Sequence, residues 1–259
     1  MTKPRATNAL AALRVALRDA SDPKRAKAMS AYFKTGPGEY AEGDVFIGIS
    51  MPALRAIART CSSLTLAELD ALLSSRVHEE RSLALMVLVR QFEKGDAAAR
   101  QERFDFYLAH LAGINNWDLV DMSAPRIVGT HLIATRDQRL LPRLARSKVL
   151  WERRVAMLAT LAFITEGDAK TAFAIAELLL GDTHDLMHKA VGWMLREVGK
   201  RVDEDTLRGF LTTHAPMMPR TALRYAIERF SPAERKRWLG VPRARVDSKS
   251  LHARKADAE

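Results

Sequence analysis

The apolar residues of this chain recur with the period of a helix and almost nowhere with the period of a strand. From Asn8 to Arg18, Leu10, Leu13, Val15 and Leu17 form one broad apolar side, the spacing that lets a helix bury a face. The same spacing predicts helices at about 22–34, 51–61, 66–75, 78–93, 97–112, 116–134, 138–147, 150–165, 168–180, 184–200, 204–214 and 218–230. Asp22-Pro23 reads as a helix start, because proline's missing N–H and fixed φ are harmless in a first turn. Between the second and third helices lies TGPGEYAEGD, residues 35–44, a loop punctuated by glycine and proline. Phe46-Ile47-Gly48-Ile49 is the best strand-like tetrapeptide, and it is too short to change the class. The chain is expected to be all-α.

A longer regularity sits on top of the helical one. ERSLALMVL begins at Glu80, RRVAMLATL at Arg153, HKAVGWMLR at His188 and PRTALRYAI at Pro219. Each places a basic residue, Arg81, Arg154, Lys189 or Arg220, just before an apolar, alanine-rich stripe. The last two intervals are about 30–35 residues and the first is about twice that, the period of a helical-hairpin repeat. An ordinary amphipathic helix with arginine beside its apolar face accounts for any one stripe. Their recurrence favours a solenoid of helix pairs over residues 1–238, whose concave face gathers the basic positions into one groove. Lys plus Arg total 41 against 31 for Asp plus Glu, a net charge of +10, which points to a polyanionic partner and fits a duplex phosphate backbone.

Composition bounds the rest. A chain 47% hydrophobic and 28% charged folds rather than staying disordered. Residues 239–259, with PRARVDSKSLHARKADAE from Pro242, are nearly devoid of large apolar groups and are expected to form a disordered basic tail. One cysteine, Cys61, excludes an intrachain disulfide framework and suits a reducing compartment. The N-terminus lacks a secretory h-region, and no apolar run reaches the length of a membrane span. No membrane association is expected, and the location reads as cytoplasmic.

The segment richest in chemistry is INNWDLVDMSAPRIVG, residues 114–129. Asn115 or Asn116 can cap a helix, and Asp118 in its first turn is explained by the helix dipole. Asp121 is harder to explain. It lies four residues after Trp117, on a face that Val120, Ala124 and Val128 extend as apolar surface. A carboxylate there is either tied to a cation or functional. In WERRVAMLATLAFI, residues 151–164, Arg154 is three residues from Trp151, while Glu152 and Arg153 read as solvent-facing. In LMHKAVGWMLREVGKR, residues 186–201, Lys189 and Trp193 share a face, and Glu197 reads as a solvated partner of Lys200 or Arg201. Gly192 inside that helix, despite its propensity cost, signals close approach by another backbone or a ligand. Among seven histidines there is no HExxH pair, and His184 and His188 have no convincing acidic partner. Cys61 has no nearby histidine, and GPGEYAEG neither follows a strand nor ends in GK[ST]. No metal and no cofactor are expected.

YFKTGPGEYAEGDVFIGI (32–49), NNWDLVD (115–121), WERRVA (151–156), HKAVGWMLREVGKR (188–201) and PRTALRYAIERF (219–230) resemble, in order, the DNA alkylation repair family of AlkD-like HEAT-repeat DNA glycosylases. The likeness runs over about residues 20–232. It implies a right-handed α-helical solenoid with a cationic concave face. It also implies hydrolysis of the N-glycosidic bond of N3- or N7-alkylated purines in duplex DNA, the opening step of base excision repair. The resemblance places the catalytic carboxylate on Asp121, the two active-site tryptophans on Trp117 and Trp193, the active-site arginine on Arg154 and a tyrosine on Tyr32. Leu186 stands where the family's best-known form has an aromatic residue lining the lesion. With the basic repeat positions, this nominates Tyr32, Arg81, Arg153, Lys189 and Arg220 as DNA contacts. The expected partner is duplex DNA carrying alkylated purines, bound by a monomer associated with the nucleoid. The alternative is a non-catalytic HEAT-repeat protein that grips damaged or branched DNA. A protein–protein scaffold ranks third, since it needs neither matched aromatic–charge sets nor a +10 surplus. The joint presence of Trp117, Asp121, Arg154 and Trp193 favours the enzyme.

Overall fold

The segments with period 3.6 all fold as helices. The computed structural model describes residues 5–137 and 139–243, with side chains from residue 10 onward. In chain order the helices are α1 (Arg5–Asp19), α2 (Pro23–Tyr32), α3 (Met51–Thr60), α4 (Leu66–Leu73), α5 (His78–Lys94), α6 (Ala97–Ala109), α7 (Trp117–Ala124) and α8 (Thr130–Thr135). They continue with α9 (Leu140–Ala145), α10 (Leu150–Thr165), α11 (Ala169–Leu179), α12 (Asp185–Arg201), α13 (Glu204–His214), α14 (Arg220–Ala226) and α15 (Pro232–Leu239). Caps fall where the side chains permit. Asp22 accepts the Lys24 and Arg25 N–H groups ahead of Pro23, and Thr65 with Glu68 forms a reciprocal capping box. No helix among the described residues is long and apolar enough to cross a membrane.

Three departures have physical causes. The helix expected over 116–134 divides at a π-helical turn, Pro125–Gly129, between α7 and α8. Pro125 has no N–H to offer the Asp121 carbonyl four residues back, and its ring crowds that oxygen, so the ladder takes up an extra residue. Second, α15 was not anticipated. Its start signal is present, with the Ser231 hydroxyl accepting the Glu234 N–H at 3.2 Å and proline in the first turn, but it has no repeating apolar stripe. The expected tail therefore begins at the last residue of α15, and residues 244–259 lie outside the described residues. Third, Phe46-Ile47-Gly48-Ile49 stays out of any sheet because its donors are taken. The buried Glu79 carboxylate accepts the N–H groups of Ile47, Gly48 and Ile49 at 2.8–3.3 Å. Gly48 is required there, since its φ is +82° and a Cβ would stand 2.1 Å from the Asp22 carbonyl oxygen. One isolated parallel bridge, Val45 to Val77, is the only ladder contact among the described residues.

The chain divides into two compact units, Met1–Arg136 and Asp137–Glu259. The sequence reads as one array. In the first unit α5 is the inner helix and packs on α3, α4, α6 and α7. In the second, α10 packs on α9, α11 and α12, and α12 on α13 and α14. The four repeat segments fall on these inner helices and on α14. Leu83, Ala84, Leu85, Val87 and Leu88 of α5, and Val155 to Ala159 of α10, are completely buried. Each large aliphatic among them contributes roughly 1.5–3 kcal/mol. Gly192 serves close packing as its position predicts: a Cβ there would lie 2.4 Å from the Ala222 carbonyl oxygen of α14.

Candidate functional site

The first unit presents Trp117 and Asp121 one turn apart on α7. Both are half-buried, while Leu119, Val120 and Ala124 on the same helix are fully buried. Asn116 caps this helix, as one of the two asparagines was expected to do. Beneath it Tyr107 is completely buried and pairs with Ser123 at 3.0 Å; Ser123 in turn donates to the Leu119 carbonyl at 2.5 Å. Burial, with the Asp121 charge adding to it, pushes the Tyr107 hydroxyl above its ordinary pKa, so it keeps its proton.

Trp117 is framed by aromatic rings. Phe33 stacks on it with centroids 5.2 Å apart and planes 9° from parallel. Tyr32, expected as a DNA contact, meets Trp117 edge-on at 6.1 Å and is 68% exposed. Such pairs contribute about 0.5–1.5 kcal/mol each beyond area burial. Burial raises the pKa of Tyr40, a residue of the 35–44 loop; the neighbouring Trp117 opposes this and the nearby Tyr32 and Asp118 add to it, so the phenol stays neutral.

Behind the aromatic frame runs a buried polar chain that the sequence did not disclose. His78 bonds Asp118 through Nε2 at 2.8 Å and Asp44 through Nδ1 at 3.4 Å. Arg81 closes on Asp44 at 2.7 Å and donates to the Ser75 carbonyl at 2.8 Å. The Asn116 amide reaches the same Asp44 oxygen at 3.4 Å. Burial opposes a charge on His78, but the bonds to Asp118 and Asp44 outweigh it and push the pKa up to about 9. Burial likewise opposes ionisation of Asp44, yet His78 and Arg81 hold its carboxyl below the usual value. Asp118 thus has a partner as well as a favourable helix dipole. His78 also stacks on Phe46 at 4.5 Å and leans on Phe33 at 5.1 Å, joining the polar chain to the ring cluster.

The second unit carries Arg154, Trp193 and Leu186. Arg154 is buried on α10, and its Nη1 donates to the Leu186 carbonyl at 2.7 Å. Leu186 is half-buried in the first turn of α12. Trp193 is half-buried one turn before Glu197, to which its indole donates at 3.3 Å. Arg201 binds the other Glu197 oxygen at 2.7 Å, the partner the spacing predicts, but Glu197 is buried rather than on a solvated face. Burial raises its pKa and the Arg201 bond outweighs that, leaving it below the ordinary carboxyl value.

The basic residues nominated as DNA contacts are bonded within their own units. Arg81 is buried against Asp44, which removes it from the contacts a solvent-side phosphate can reach; the cause is an aspartate on a remote loop. Arg153 was expected to face solvent and instead binds Asp182 at 2.6 Å and the Ser147 and Lys148 carbonyls at 3.0 Å. Lys189 pairs with Asp185 at 2.7 Å with 42% of its side chain exposed. Arg220 donates to the Val241 carbonyl at 3.2 Å. His184 caps α12 by accepting the Leu186 N–H, and His188 bonds the Asp182 carbonyl. Among the described residues no group of three His, Cys, Asp or Glu side chains is placed to hold a metal.

Residues 13–230 match the family model described as DNA alkylation repair enzyme. No protein among the curated ones matches the chain. A solved structure described as a predicted DNA alkylation repair enzyme from Enterococcus faecalis aligns with a TM-score of 0.63 at 17% identity, covering 82% of this chain and 97% of that one. At such identity the likeness speaks for the fold. The family match runs from α1 to the turn after α14, and the chain belongs to the DNA alkylation repair enzyme family.

Proposed function

We propose that this protein is a DNA glycosylase that hydrolyses the N-glycosidic bond of N3- or N7-alkylated purines in duplex DNA. The observation that carries this reading is Asp121, half-buried one turn after a ring-framed Trp117, in a chain of an alkylation repair family. An N3- or N7-alkylpurine is cationic, so its glycosidic bond is weakened in advance and the departing base needs no strong general acid. As the C1′–N bond breaks, the electron pair goes to the base and neutralises it. The sugar becomes oxocarbenium-like. Ionised Asp121 stabilises that charge and orients the water that attacks C1′, accepting its proton. Trp117 and Trp193 are assigned to the deoxyribose, where aromatic faces favour developing cationic character. Arg154 is assigned to a backbone phosphate near the lesion, with its orientation supported by the Leu186 carbonyl. Leu186 offers aliphatic contact where an aromatic ring would stack, which bears on the range of lesions accepted.

Duplex affinity in this reading is electrostatic and independent of sequence, so it falls steeply with salt. Tyr32, Lys189 and Arg220 remain assigned to the DNA, as does Arg153 through what its Asp182 pairing leaves of it. Arg81 is assigned to structure instead. The protein acts as a monomer without metal or cofactor in this proposal.

The test is release of 7-methylguanine or 3-methyladenine from methylated duplex DNA. Asp121→Asn is expected to lower release by about a hundredfold or more while leaving DNA affinity in place. Arg154→Ala is expected to weaken binding and flatten its salt dependence. Binding without release from any alkylated substrate would assign the chain to the non-catalytic alternative.

A further inference from the structure

The chain enters α5, α10 and α12 through the same hydrogen-bonded turn. The turn runs from Leu72 to Arg81 for α5, from Leu144 to Arg153 for α10 and from Leu179 to His188 for α12. Its first bond goes from the N–H of Ser75, Ser147 or Asp182 to the carbonyl of Leu72, Leu144 or Leu179, at 3.2, 3.1 and 3.1 Å. The side-chain oxygen of that same residue accepts the N–H two residues on, from Val77, Val149 or His184, at 3.0, 3.0 and 2.9 Å. Its carbonyl accepts a side chain six residues on: Arg81 at 2.8 Å, Arg153 at 3.0 Å and His188 at 2.6 Å.

The turn gives its cations separate tasks. Arg81 and Arg153 lock it, and each is paired with an aspartate whose side chain is almost fully buried, Asp44 or Asp182. The residue between serine and valine is Arg76 in the first unit and Lys148 in the second, and both are exposed. Their carbonyls are taken, that of Arg76 by the Val45 N–H at 2.9 Å and that of Lys148 by Arg153 at 3.0 Å. The backbone is thereby fixed while the side chain points away from the bonds of the turn. Among the described residues neither Arg76 nor Lys148 forms an ion pair, although Arg76 donates to the Gly43 carbonyl at 3.4 Å. The third copy shows that the turn needs no cation here. Its middle residue is Thr183, exposed and uncharged, and all three bonds are present. The charges of Arg76 and Lys148 are therefore left without a structural task.

We propose that Arg76 and Lys148 are phosphate contacts to duplex DNA, one in each unit, carried at the outward position of a repeated turn that Arg81 and Arg153 lock from within. Arginine and lysine share charge and reach but not donor geometry. A position that takes either one recognises a charge rather than a planar group of fixed shape, and a backbone phosphate is such a charge. Contacts of this kind hold a duplex without reading its sequence. Lys148 also stands in a stretch, residues 140–151, that holds the exposed Arg143 and Arg146 and no carboxylate. The proposal shares with the glycosylase reading only its ligand, duplex DNA, and depends on no step of the reaction.

The third copy supplies the substitutions: Arg76→Thr and Lys148→Thr put into each turn the residue type that α12 already tolerates. Affinity of the full chain for an unmodified duplex is measured against salt by fluorescence anisotropy. Each variant is expected to lower the slope of log affinity against log salt by about 1, and the double variant by about 2. At 0.1 M salt each single variant should bind about five- to tenfold more weakly. Thermal melting, expected to match the wild type, checks that the turn is intact. Lys170→Thr removes an exposed cation in the first turn of α11, outside every copy of the turn, and is expected to leave the slope in place. A wild-type slope in either single variant overturns the proposal. So does an equal loss in Lys170→Thr, which would mean a diffuse effect of net charge. Base release from methylated duplex is followed separately. No release, with the slopes lowered as expected, sinks the glycosylase reading and leaves these contacts standing; release with unchanged slopes does the reverse.

Discussion

The two tryptophans assigned to the reacting sugar are held in opposite ways. Trp193 is held by its own helix: its indole donates to Glu197 four residues on, and Glu197 is held by Arg201 four residues further. Trp117 is held from outside. Its ring is framed by Phe33 and Tyr32, and the turn it sits on is tied by His78 to Asp44. The first arrangement depends on helical spacing, which any stable α12 supplies. The second exists only when a loop, α2 and α5 are all in place around α7. Local fastening is cheap to keep and hard to tune. Non-local fastening couples the position of a side chain to the integrity of the whole unit.

That contrast can be broken most severely at Asp44. Asp44→Ala would leave Arg81 and protonated His78 buried without their shared counter-charge, a loss of about 3–5 kcal/mol. Urea unfolding of wild type and variant measures it. A loss no larger than that of the equivalent change at Glu197 would erase the difference between the two regions.

Next in size is the pH dependence of His78. Its folded pKa lies near 9, above the ordinary 6.5, so the protonated ring stabilises the folded state. That contribution is fully present below pH 6.5 and is lost as pH rises through about 9. The spread corresponds to roughly 3 kcal/mol. Stability should decline across that window in the wild type and stay nearly level in His78→Gln. Glu197 behaves in the opposite sense. Its carboxyl is held below the ordinary value, so its contribution is present above the ordinary carboxyl range and is lost as pH falls through its lowered folded pKa. A wild-type curve that is flat above pH 6.5 would remove His78 as the charged centre of the first unit.

Smaller effects belong to the second unit. Gly192→Ala would press a methyl group against the Ala222 carbonyl oxygen, costing about 1–3 kcal/mol as α12 and α14 separate. Calorimetric melting detects a shift of that size. Glu197→Gln keeps an acceptor for the Trp193 indole and loses a charge pair with the half-exposed Arg201, an effect below about 1 kcal/mol. A larger loss there would mean that Trp193, like Trp117, depends on more than its own helix.

What could be read in advance follows the same division. The pairing of Glu197 with Arg201 was visible as i, i+4 spacing, but the burial of Glu197 and its bond from the Trp193 indole were not read. Gly192 announced a close approach because glycine inside a helix needs a reason. Asp121 stood out beside Trp117 for the same kind of local reason. Tyr40, Asp44 and His78 gave no signal, since nothing in a loop rich in glycine and acid says which helix it will touch. Arg81, just before an apolar stripe, and Arg153, beside Glu152 on a face read as solvated, looked like surface cations. Asp44 and Asp182, brought to them by packing, turned them inward.

By itself the sequence determined the helices, because apolar period and capping groups act over a few residues, but the break at Pro125 fell inside a helix read as continuous. It also marked the carboxylate and the aromatic rings that carry the proposed chemistry. Only the tertiary structure decided which charges are spent on the protein itself. A cation's partner is whichever carboxylate lies within a few ångströms, and when that carboxylate sits on another element, only packing brings it there.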